Sequence, residues 1–139
     1  MEIKLYQELP KDAQDIRTKV FIEEQGFQNE YDEMDHIAMH LVAYIDGRPA
    51  ATCRFFWDKE KDAYILGRLA VLPKFRGSHL GAALMDEVQK QADALGGNAI
   101  WLHAQCRASA FYEKQGYQKL GEVELEQNCP HIWMYKQWN

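Results

Sequence analysis

The chain has 139 residues, of which 47% are hydrophobic and 12% aromatic, a formal net charge of −5 at pH 7 and a pI of about 5.5. These values predict one folded domain over residues 1–139 and exclude a disordered chain. The acidic balance argues against nucleic acid as the main partner, because phosphate contacts need a basic surface. No apolar run reaches membrane-spanning length and the first residues do not resemble a signal peptide, so we expect a cytoplasmic protein with no membrane partner.

Hydrophobic spacing and turn residues predict strands and helices in mixed order along the chain. The predicted elements, in chain order, are a strand over 2–7, a helix over 11–24, an acidic loop over 25–36, strands over 39–45, 50–57 and 63–72, a helix over 79–94, a strand over 99–104, a helix over 107–115, and strands over 117–124 and 132–137. This order predicts an α/β (α+β) fold whose sheet contains both parallel and antiparallel pairs.

The most informative segment is a basic turn of small residues over 74–81, between a predicted strand and a predicted helix. The free N–H groups of a helix's first turn favour a negatively charged ligand, and the helix dipole acts in the same direction. Gly77 and Gly81 allow a close backbone approach, and Arg76 adds a positive charge. The turn therefore predicts a pyrophosphate site.

This turn resembles the acetyl-coenzyme A signature of the GNAT superfamily of N-acetyltransferases, which reads Arg or Gln, two residues, Gly, one residue, Gly or Ala. Arg76 and Gly81 match it, whereas His79 replaces the usual Gly. The resemblance implies a single-domain GNAT fold, with a mixed, mostly antiparallel, twisted sheet flanked by helices. It also implies that acetyl-coenzyme A is held by the backbone at the end of the fourth strand and by the turn, that is, by Leu69, Ala70, Val71, Arg76, Gly77, Ser78, His79, Leu80, Gly81 and Ala82.

A second segment, residues 105–117, resembles the GNAT motif Asn-x-x-Ala-x-x-Phe-Tyr-x-x-x-Gly-Phe. The matching positions are Ala108, Phe111, Tyr112 and Gly116, whereas Gln105 and Tyr117 replace the usual Asn and Phe. The resemblance implies that the residues beside acetyl-coenzyme A here are Gln105, Ala108, Phe111 and Tyr112. It further implies that Tyr112 is the general acid, because a phenol is neutral at pH 7 and can donate a proton to the leaving thiolate.

A third match narrows the branch of the superfamily. The segment over 17–26, the acidic residues after it and a later His40 resemble the ElaA-like (YjcF-like) branch, and so does the segment over 130–134. The resemblance thus extends from about residue 17 to residue 136. Glu24 and His131 fall in the segments that match this branch, so they are the preferred candidates for acceptor-site residues and for the general base.

The identity of the general base stays open on sequence alone. Further candidates are Asp35, His40 and His103, and a chain of water molecules is an alternative to any single base. The other acidic side chains of the loop, Glu30, Asp32 and Glu33, are predicted to be solvated.

The remaining reactive and aromatic residue types suggest no second site. His36 and His40 have metal-like spacing but lead into a predicted strand with no third ligand nearby, so no metal is expected. The cysteines, Cys53, Cys106 and Cys129, are predicted to be free thiols. The tryptophans, Trp57, Trp101, Trp133 and Trp138, are too dispersed in sequence to predict a stacking platform, and we expect them to be packing residues.

The three resemblances together imply an acetyl-coenzyme A-dependent N-acetyltransferase acting on a small-molecule amine or a peptide amine by direct attack in a ternary complex. A non-catalytic acyl-coenzyme A binding or sensing module on the same fold is the alternative. A phosphate- or nucleotide-binding protein of another class is disfavoured, because the turn lacks a Walker lysine and a Gly-x-Gly-x-x-Gly pattern. Family habit also makes a homodimer plausible.

Overall fold

One seven-stranded sheet organises the part of the chain that this computed structural model describes, residues 1–28 and 30–138. The strands are β1 (Glu2–Tyr6), β2 (Met39–Ile45), β3 (Arg48–Asp58), β4 (Ala63–Val71), β5 (Ala99–Gln105), β6 (Gln118–Glu126) and β7 (Cys129–Gln137). Their spatial order is β1-β2-β3-β4-β5-β7-β6. Within these residues, no helix is long and apolar enough to cross a membrane.

The mixed sheet predicted from the element order is confirmed. Every neighbouring pair of strands is antiparallel except β4 and β5, which are parallel. Helix α2 (Leu80–Ala94) connects these two strands, since parallel neighbours need a crossover longer than a hairpin. Only Tyr64–Ile100 and Ile65–Trp101 pair across them, so β4 and β5 separate beyond Ile65. This separation creates a cleft near the middle of the sheet.

The two faces of the sheet carry separate cores because side chains alternate along each strand. On β2, Leu41 belongs to the core that packs against α2, whereas its neighbour Val42 packs against helix α1 (Lys11–Arg17). The third helix, α3 (Ser109–Lys114), brings Phe111 to the edge of the α2 core. Helices therefore flank the sheet as predicted, with α1 on the face opposite α2.

The predicted helix over 11–24 is not a single α-helix. After α1 the chain continues as a π-helix over Thr18–Glu24, and the backbone N–H of Gln25 bonds the carbonyl of Val20 at 3.0 Å. Hydrophobic spacing did not reveal this change, because the buried stripe that contains Val20 and Phe21 continues through it. The π-helix ends beside the cleft, so that Gln25 and the loop after it lie next to the cleft.

The last two strands form a longer hairpin than predicted. β6 extends to Glu126 and β7 begins at Cys129 rather than at Ile132. The connecting residues, Gln127 and Asn128, both have positive φ, as a two-residue turn between antiparallel strands requires. Pro130 made an early start of β7 hard to predict, since proline removes a donor from the strand ladder. The longer hairpin pairs Glu124 with His131.

Candidate functional site

The cleft between β4 and β5 carries a backbone irregularity at Arg68. Thr52 pairs with Ala70 but Arg54 pairs with Gly67, so two residues of β4 face a single residue of β3. Arg68 lies in this β-bulge and has a φ of 53°, a left-handed conformation that is unusual for a residue with a side chain. Because β5 has already diverged, the backbone from Leu69 onward faces the cleft without a strand partner on that side. The sequence prediction had assigned the cofactor to this backbone.

A cavity of about 530 Å³ lies over the cleft, on the sheet face that also carries α1. Its lining includes Phe21, Gln25, Phe27, Glu30, Tyr31, Asp32, Phe56, Arg68, Leu69, Gln105, Ala108, Tyr112, Glu126, His131 and Trp133. Of the predicted site residues, the structure thus brings together Leu69, Gln105, Ala108, Tyr112 and His131. The pyrophosphate turn, Phe111 and Glu24 lie outside this lining.

An ion-pair cluster forms the first wall of the cavity. Arg17 Nε donates to Glu30 Oε1 at 2.6 Å, and Arg17 Nη1 donates to Asp35 Oδ1 at 2.8 Å. Arg54 Nη1 also donates to Asp35 Oδ1 at 2.8 Å and bonds Asp32 as well. All but Asp32 are buried, with Arg17 only 1% exposed. We define these residues, with Arg68, as the arginine–carboxylate cluster.

The prediction of a solvated acidic loop is therefore wrong for Glu30, whereas Glu33 is exposed as expected and Asp32 is exposed but paired with Arg54. The arginines that pair with the loop come from α1, β3 and β4, and sequence patterns do not show such distant partners. Arg68 Nε donates to the Glu30 carbonyl at 2.9 Å, and its Nη2 donates to Asp32 Oδ2 at 3.2 Å. The loop is thereby tied to the irregular residue of β4.

Two of the candidate bases do not line the cavity: Asp35 belongs to this cluster, and His40 lies beside it. Burial by itself raises the pKa of Asp35, but hydrogen bonds from Arg17 and Arg54 lower it to about 2. A carboxylate of that pKa is a weak base. His40 is 1% exposed, its Nε2–H donates to the Asp35 carbonyl at 3.0 Å, and burial lowers its pKa. Both residues have structural contacts that account for their presence.

The opposite wall is built from β5, β6 and β7. Strand pairing sets His103 beside Trp133 and Gln105 beside His131, so their side chains share one face of the sheet. The rings of His103 and His131 stack with centroids 5.0 Å apart, and His103 lies 4.8 Å from the Trp133 ring. Trp101 packs edge-on against Trp133 at 6.2 Å. These two tryptophans are packing residues, as expected, and strand register brings them together although they are distant in sequence.

Two carboxylates flank these imidazoles. His103 Nε2 lies 3.1 Å from Glu124 Oε1, and His103 Nδ1 lies 3.2 Å from Glu126 Oε1. Glu126 Oε2 is 3.7 Å from His131 Nε2. We call His103, Glu124, Glu126, His131 and Trp133 the imidazole–carboxylate wall; all of them except Glu124 line the cavity, and Glu124 contacts His103 from outside the lining. Glu124 and Glu126 were not predicted as site residues from the sequence. The alternation of side-chain direction along β6 and β7 could have placed them on the same face as the histidines.

His131 has the geometry of a proton acceptor. It is 4% exposed, and its Nδ1 lies 2.8 Å from the Cys129 carbonyl, to which Nδ1–H donates. In the neutral ring this tautomer leaves the lone pair on Nε2. Among the described residues, Nε2 has no hydrogen-bond partner, and the cavity is the space that it can reach. An amine bound there could transfer a proton to His131.

Tyr112 reaches the same cavity from α3. Burial raises its pKa to about 12, and the nearby Cys53 thiol contributes to the increase. The phenol therefore keeps its proton at neutral pH. Within the described part of the chain, the hydroxyl has no hydrogen-bond partner, so it is available to a bound group. Its ring is held edge-on by Phe111 and Tyr117, with centroids 5.1 and 6.4 Å away.

Glu24 and Arg76 hold each other outside the cavity. Two hydrogen bonds of 2.7 Å join the guanidinium to the carboxylate, and Arg76 Nε donates to the Val71 carbonyl at 2.9 Å. These hydrogen bonds from Arg76 lower the pKa of Glu24. The structure therefore gives Glu24 the contacts of an arginine partner rather than those of a base. Its neighbour Gln25 does reach the cavity and accepts a hydrogen bond of 2.9 Å from Gln105.

The pyrophosphate turn has the free donors that an anion needs. The first helical bond of α2 runs from Ala83 N–H to the His79 carbonyl, and the N–H groups from His79 to Ala82 have no partner among the described residues. Gly77 has a φ of +84° with open space around it, and His79 adopts the left-handed conformation with a φ of 63°. The residues present thus fit a phosphate group at an exposed helix start.

Gly81 has a role that its motif did not suggest. A Cβ at this position would lie 3.0 Å from Phe111 Cζ, which is tighter than an ordinary contact. Glycine therefore lets α3 approach the first turn of α2 and sets the position of Tyr112, which follows Phe111 in the chain.

The remaining reactive groups form no metal site. Within residues 1–28 and 30–138 no group of three or more histidine, cysteine, aspartate or glutamate side chains is arranged to hold a metal ion. The cysteines there are free thiols, as predicted, and burial raises the pKa of the Cys53 thiol.

Comparison with known proteins identifies the family. Residues 4–117 match the model of the acetyltransferase (GNAT) family. The uncharacterized N-acetyltransferase YjcF of Bacillus subtilis is 35% identical over 130 residues, which cover 91% of each chain. A solved acyl-CoA N-acyltransferase from Pseudomonas aeruginosa is 28% identical, with a TM-score of 0.84 over 97% of this chain and 98% of that one. Escherichia coli ElaA, 23% identical, shares the fold with a TM-score of 0.86, over 98% of this chain and 99% of its own. The chain belongs to the GNAT family, in its YjcF-like branch, and is an N-acetyltransferase.

Proposed function

We propose that residues 1–139 form one catalytic domain, which transfers an acetyl group from acetyl-coenzyme A to a primary amine of a small molecule or peptide. The transfer is by direct attack in a ternary complex. One observation carries the proposal: the hydroxyl-bearing ring of Tyr112 and the His131 imidazole line the same cavity, above the point where β4 and β5 separate. A proton donor and a proton acceptor thus meet at one cleft.

The donor substrate fits the cleft and the turn. The backbone of Leu69, Ala70 and Val71 offers hydrogen-bonding groups to the pantetheine arm and the thioester carbonyl. The N–H groups from His79 to Ala82 receive the pyrophosphate, and Arg76 is close enough in sequence to add charge once Glu24 releases it. Gln105, Ala108 and Phe111 complete the contact surface on the β5 side.

Proton transfers are divided between the two cavity residues. The amine nitrogen forms a bond to the thioester carbonyl carbon, and the carbon–sulfur bond breaks. His131 Nε2 takes the proton that the nitrogen loses, and Tyr112 gives its proton to the leaving sulfur. Proton return from the imidazolium to the phenolate through solvent restores both groups, so the net products are an amide and free coenzyme A.

The role of Glu24 in this proposal is to position Arg76. Its carboxylate has a lowered pKa and lies outside the cavity lining, whereas His131 lines the cavity and its Nε2 contacts only Glu126, at 3.7 Å and beyond hydrogen-bond distance, among the described residues. Among the proposed base candidates, His131 therefore has the better geometry. The homodimer that the resemblance implies stays a prediction, which sedimentation analysis would check.

Coenzyme A release from acetyl-coenzyme A, measured against a panel of primary amines, tests the proposal. We expect amine-dependent release whose kcat falls about 10- to 100-fold in Tyr112→Phe, because the proton donor is lost. Tyr117→Phe is the matched control, since that buried ring lies outside the cavity and its substitution should leave kcat within about twofold. Tight acetyl-coenzyme A binding with no release over the whole panel would contradict catalysis and favour the sensing module.

A further inference from the structure

Among the described residues, neither carboxylate of the imidazole–carboxylate wall is ion-paired with a lysine or arginine, although Lys61 Nζ lies near the Trp133 ring of the same wall. Glu124 and Glu126 are 59% and 47% exposed, and their ion-pair contacts are with histidine rings only. Within the described residues, no lysine or arginine nitrogen lies within 4.0 Å of either carboxylate. The carboxylates of the opposite wall, by contrast, are each paired with arginine. This end of the cavity is therefore suited to a cation from outside the protein.

The carboxylates follow one another outward from the proposed base. Glu126 lies between His131 and His103, with one oxygen 3.7 Å from the first ring and the other 3.2 Å from the second. Glu124 contacts the far nitrogen of His103 at 3.1 Å. A ligand whose reacting nitrogen is at His131 would thus meet further negative charge along the same wall, toward solvent.

Aromatic rings accompany this row of carboxylates. Trp133 already carries an ammonium group of the protein, since Lys61 Nζ lies 4.5 Å from its ring centroid. Across the cavity, Phe27, Tyr31 and Phe56 offer apolar surface. Apolar rings on one side of the cavity and carboxylates on the other suit an alkyl chain that bears more than one ammonium group, since methylene groups pack on rings and cations pair with carboxylates.

We infer that the acceptor is a linear diamine or polyamine, whose second ammonium group binds at Glu124 and Glu126 while its first amine reacts at His131. This inference rests on the proposed function. An amine that carries a carboxylate is excluded by the same wall, because like charges repel. The guanidinium of Arg68 offers such a substrate no compensation, since it is already bonded to Glu30 and Asp32.

Binding of three amines of equal length tests the inference without turnover. 1,6-Diaminohexane, hexylamine and 6-aminohexanoate differ only in a cationic, neutral or anionic tail, and each is titrated calorimetrically into the protein saturated with coenzyme A. We expect the diamine to bind about tenfold more tightly than hexylamine, and 6-aminohexanoate to bind most weakly. Equal affinities for the diamine and hexylamine, or failure of all three amines to bind, would overturn the inference.

Substitution of Glu124 and Glu126 tests whether these two carboxylates cause the preference for the diamine over hexylamine. The double variant Glu124→Gln/Glu126→Gln should bind both amines with nearly equal affinity, while its affinity for hexylamine stays at the wild-type value and so reports an intact cavity. Lys61→Gln, which removes a positive charge from the same wall, should preserve or increase the preference for the diamine. A preference that survives unchanged in the double variant would place the second ammonium elsewhere and overturn the assignment.

Rates of acetyl transfer to the diamine and to hexylamine distinguish a failure of this inference from a failure of the proposed function. Equal kcat/KM for the diamine and hexylamine would overturn the acceptor class and leave the acetyltransferase proposal standing. Preferential binding of the diamine without acetylation of any amine would contradict the proposed function and support the cation site alone.

Discussion

The two walls of the cavity use the same residue types for opposite purposes. In the arginine–carboxylate cluster, Glu30 and Asp35 are 4% and 7% exposed and are hydrogen-bonded to arginine. In the imidazole–carboxylate wall, Glu124 and Glu126 are roughly half exposed and contact only histidine. Carboxylates near the cavity are thus partners of arginine on one side and, in the inferred acceptor site, ligands of a cation on the other.

The physical difference between the walls is desolvation. Charges removed from water need a partner of opposite sign, and removing one partner leaves the other uncompensated. Exposed carboxylates remain hydrated and keep their charge available for a ligand. Burial and partner identity therefore decide whether a charged residue should affect folding or binding.

The largest expected effect is on stability. Asp35→Asn should lower the free energy of unfolding by about 3 to 5 kcal/mol, because Arg17 and Arg54 would lose a shared counter-ion in a buried setting. Urea denaturation measures the change. Glu126→Gln and the exposed Glu33→Gln are matched controls, which should shift stability by less than about 0.5 kcal/mol.

Comparable losses for Asp35→Asn and Glu126→Gln would remove the distinction between the walls. A loss confined to Asp35→Asn would sharpen it, because the two substitutions make the same type of chemical change.

The next effect concerns catalysis. His131→Gln should lower kcat about 100-fold, since glutamine can still donate to the Cys129 carbonyl but offers no basic nitrogen to the cavity. Steady-state coenzyme A release measures this change. His103→Gln is the control from the same wall and should act mainly on KM, because that ring contacts Glu124 and Glu126. A larger loss of kcat in His103→Gln than in His131→Gln would reassign the base.

A smaller effect should appear in the pH dependence of stability. The folded-state pKa of Asp35 is about 2, below the ordinary value of 3.8. Because the folded pKa is depressed, the stabilisation is present above pH 3.8 and is lost as the pH falls toward 2. It amounts to about 2 kcal/mol. Denaturation midpoints recorded between pH 6 and pH 2 should fall less steeply in Asp35→Asn, and an unchanged slope would contradict the assignment.

The smallest expected effect tests an exposed ion pair that belongs to neither wall. Glu24→Gln should tighten coenzyme A binding about two- to fivefold, because Arg76 would no longer be held by a carboxylate. Arg76→Gln should weaken the same binding. Calorimetric titration with coenzyme A gives both values, and weaker binding in Glu24→Gln would show that Glu24 helps the phosphate site instead of competing for Arg76.

Several features were accessible from sequence because they depend on neighbours along the chain. The turn over 74–81, the helix that follows it and the meander over 39–72 all arise from local spacing and turn residues, and the structure has them. The family was recognised from motifs of the same local kind. The π-helix was missed because the hydrophobic pattern hardly changes there, and the early start of β7 was missed because Pro130 disfavours a strand.

The charged and aromatic partners were decided by the tertiary structure. Arg17 and Asp35 are 18 positions apart, His103 and Glu124 are 21 apart, and Arg76 and Glu24 are 52 apart. Local periodicity extends over only a few residues, so it cannot show which charge meets which.

Sequence by itself determined the order of elements, the small-residue turn over 74–81 and membership in an N-acetyltransferase family, since each depends on residues close together in the chain. Tertiary structure decided that Glu30 and Asp35 are buried partners of arginine, while Glu126 and His131 face the cavity. The reason is that burial and strand register, which set the partner and the solvation of every charge, exist only once the sheet has formed.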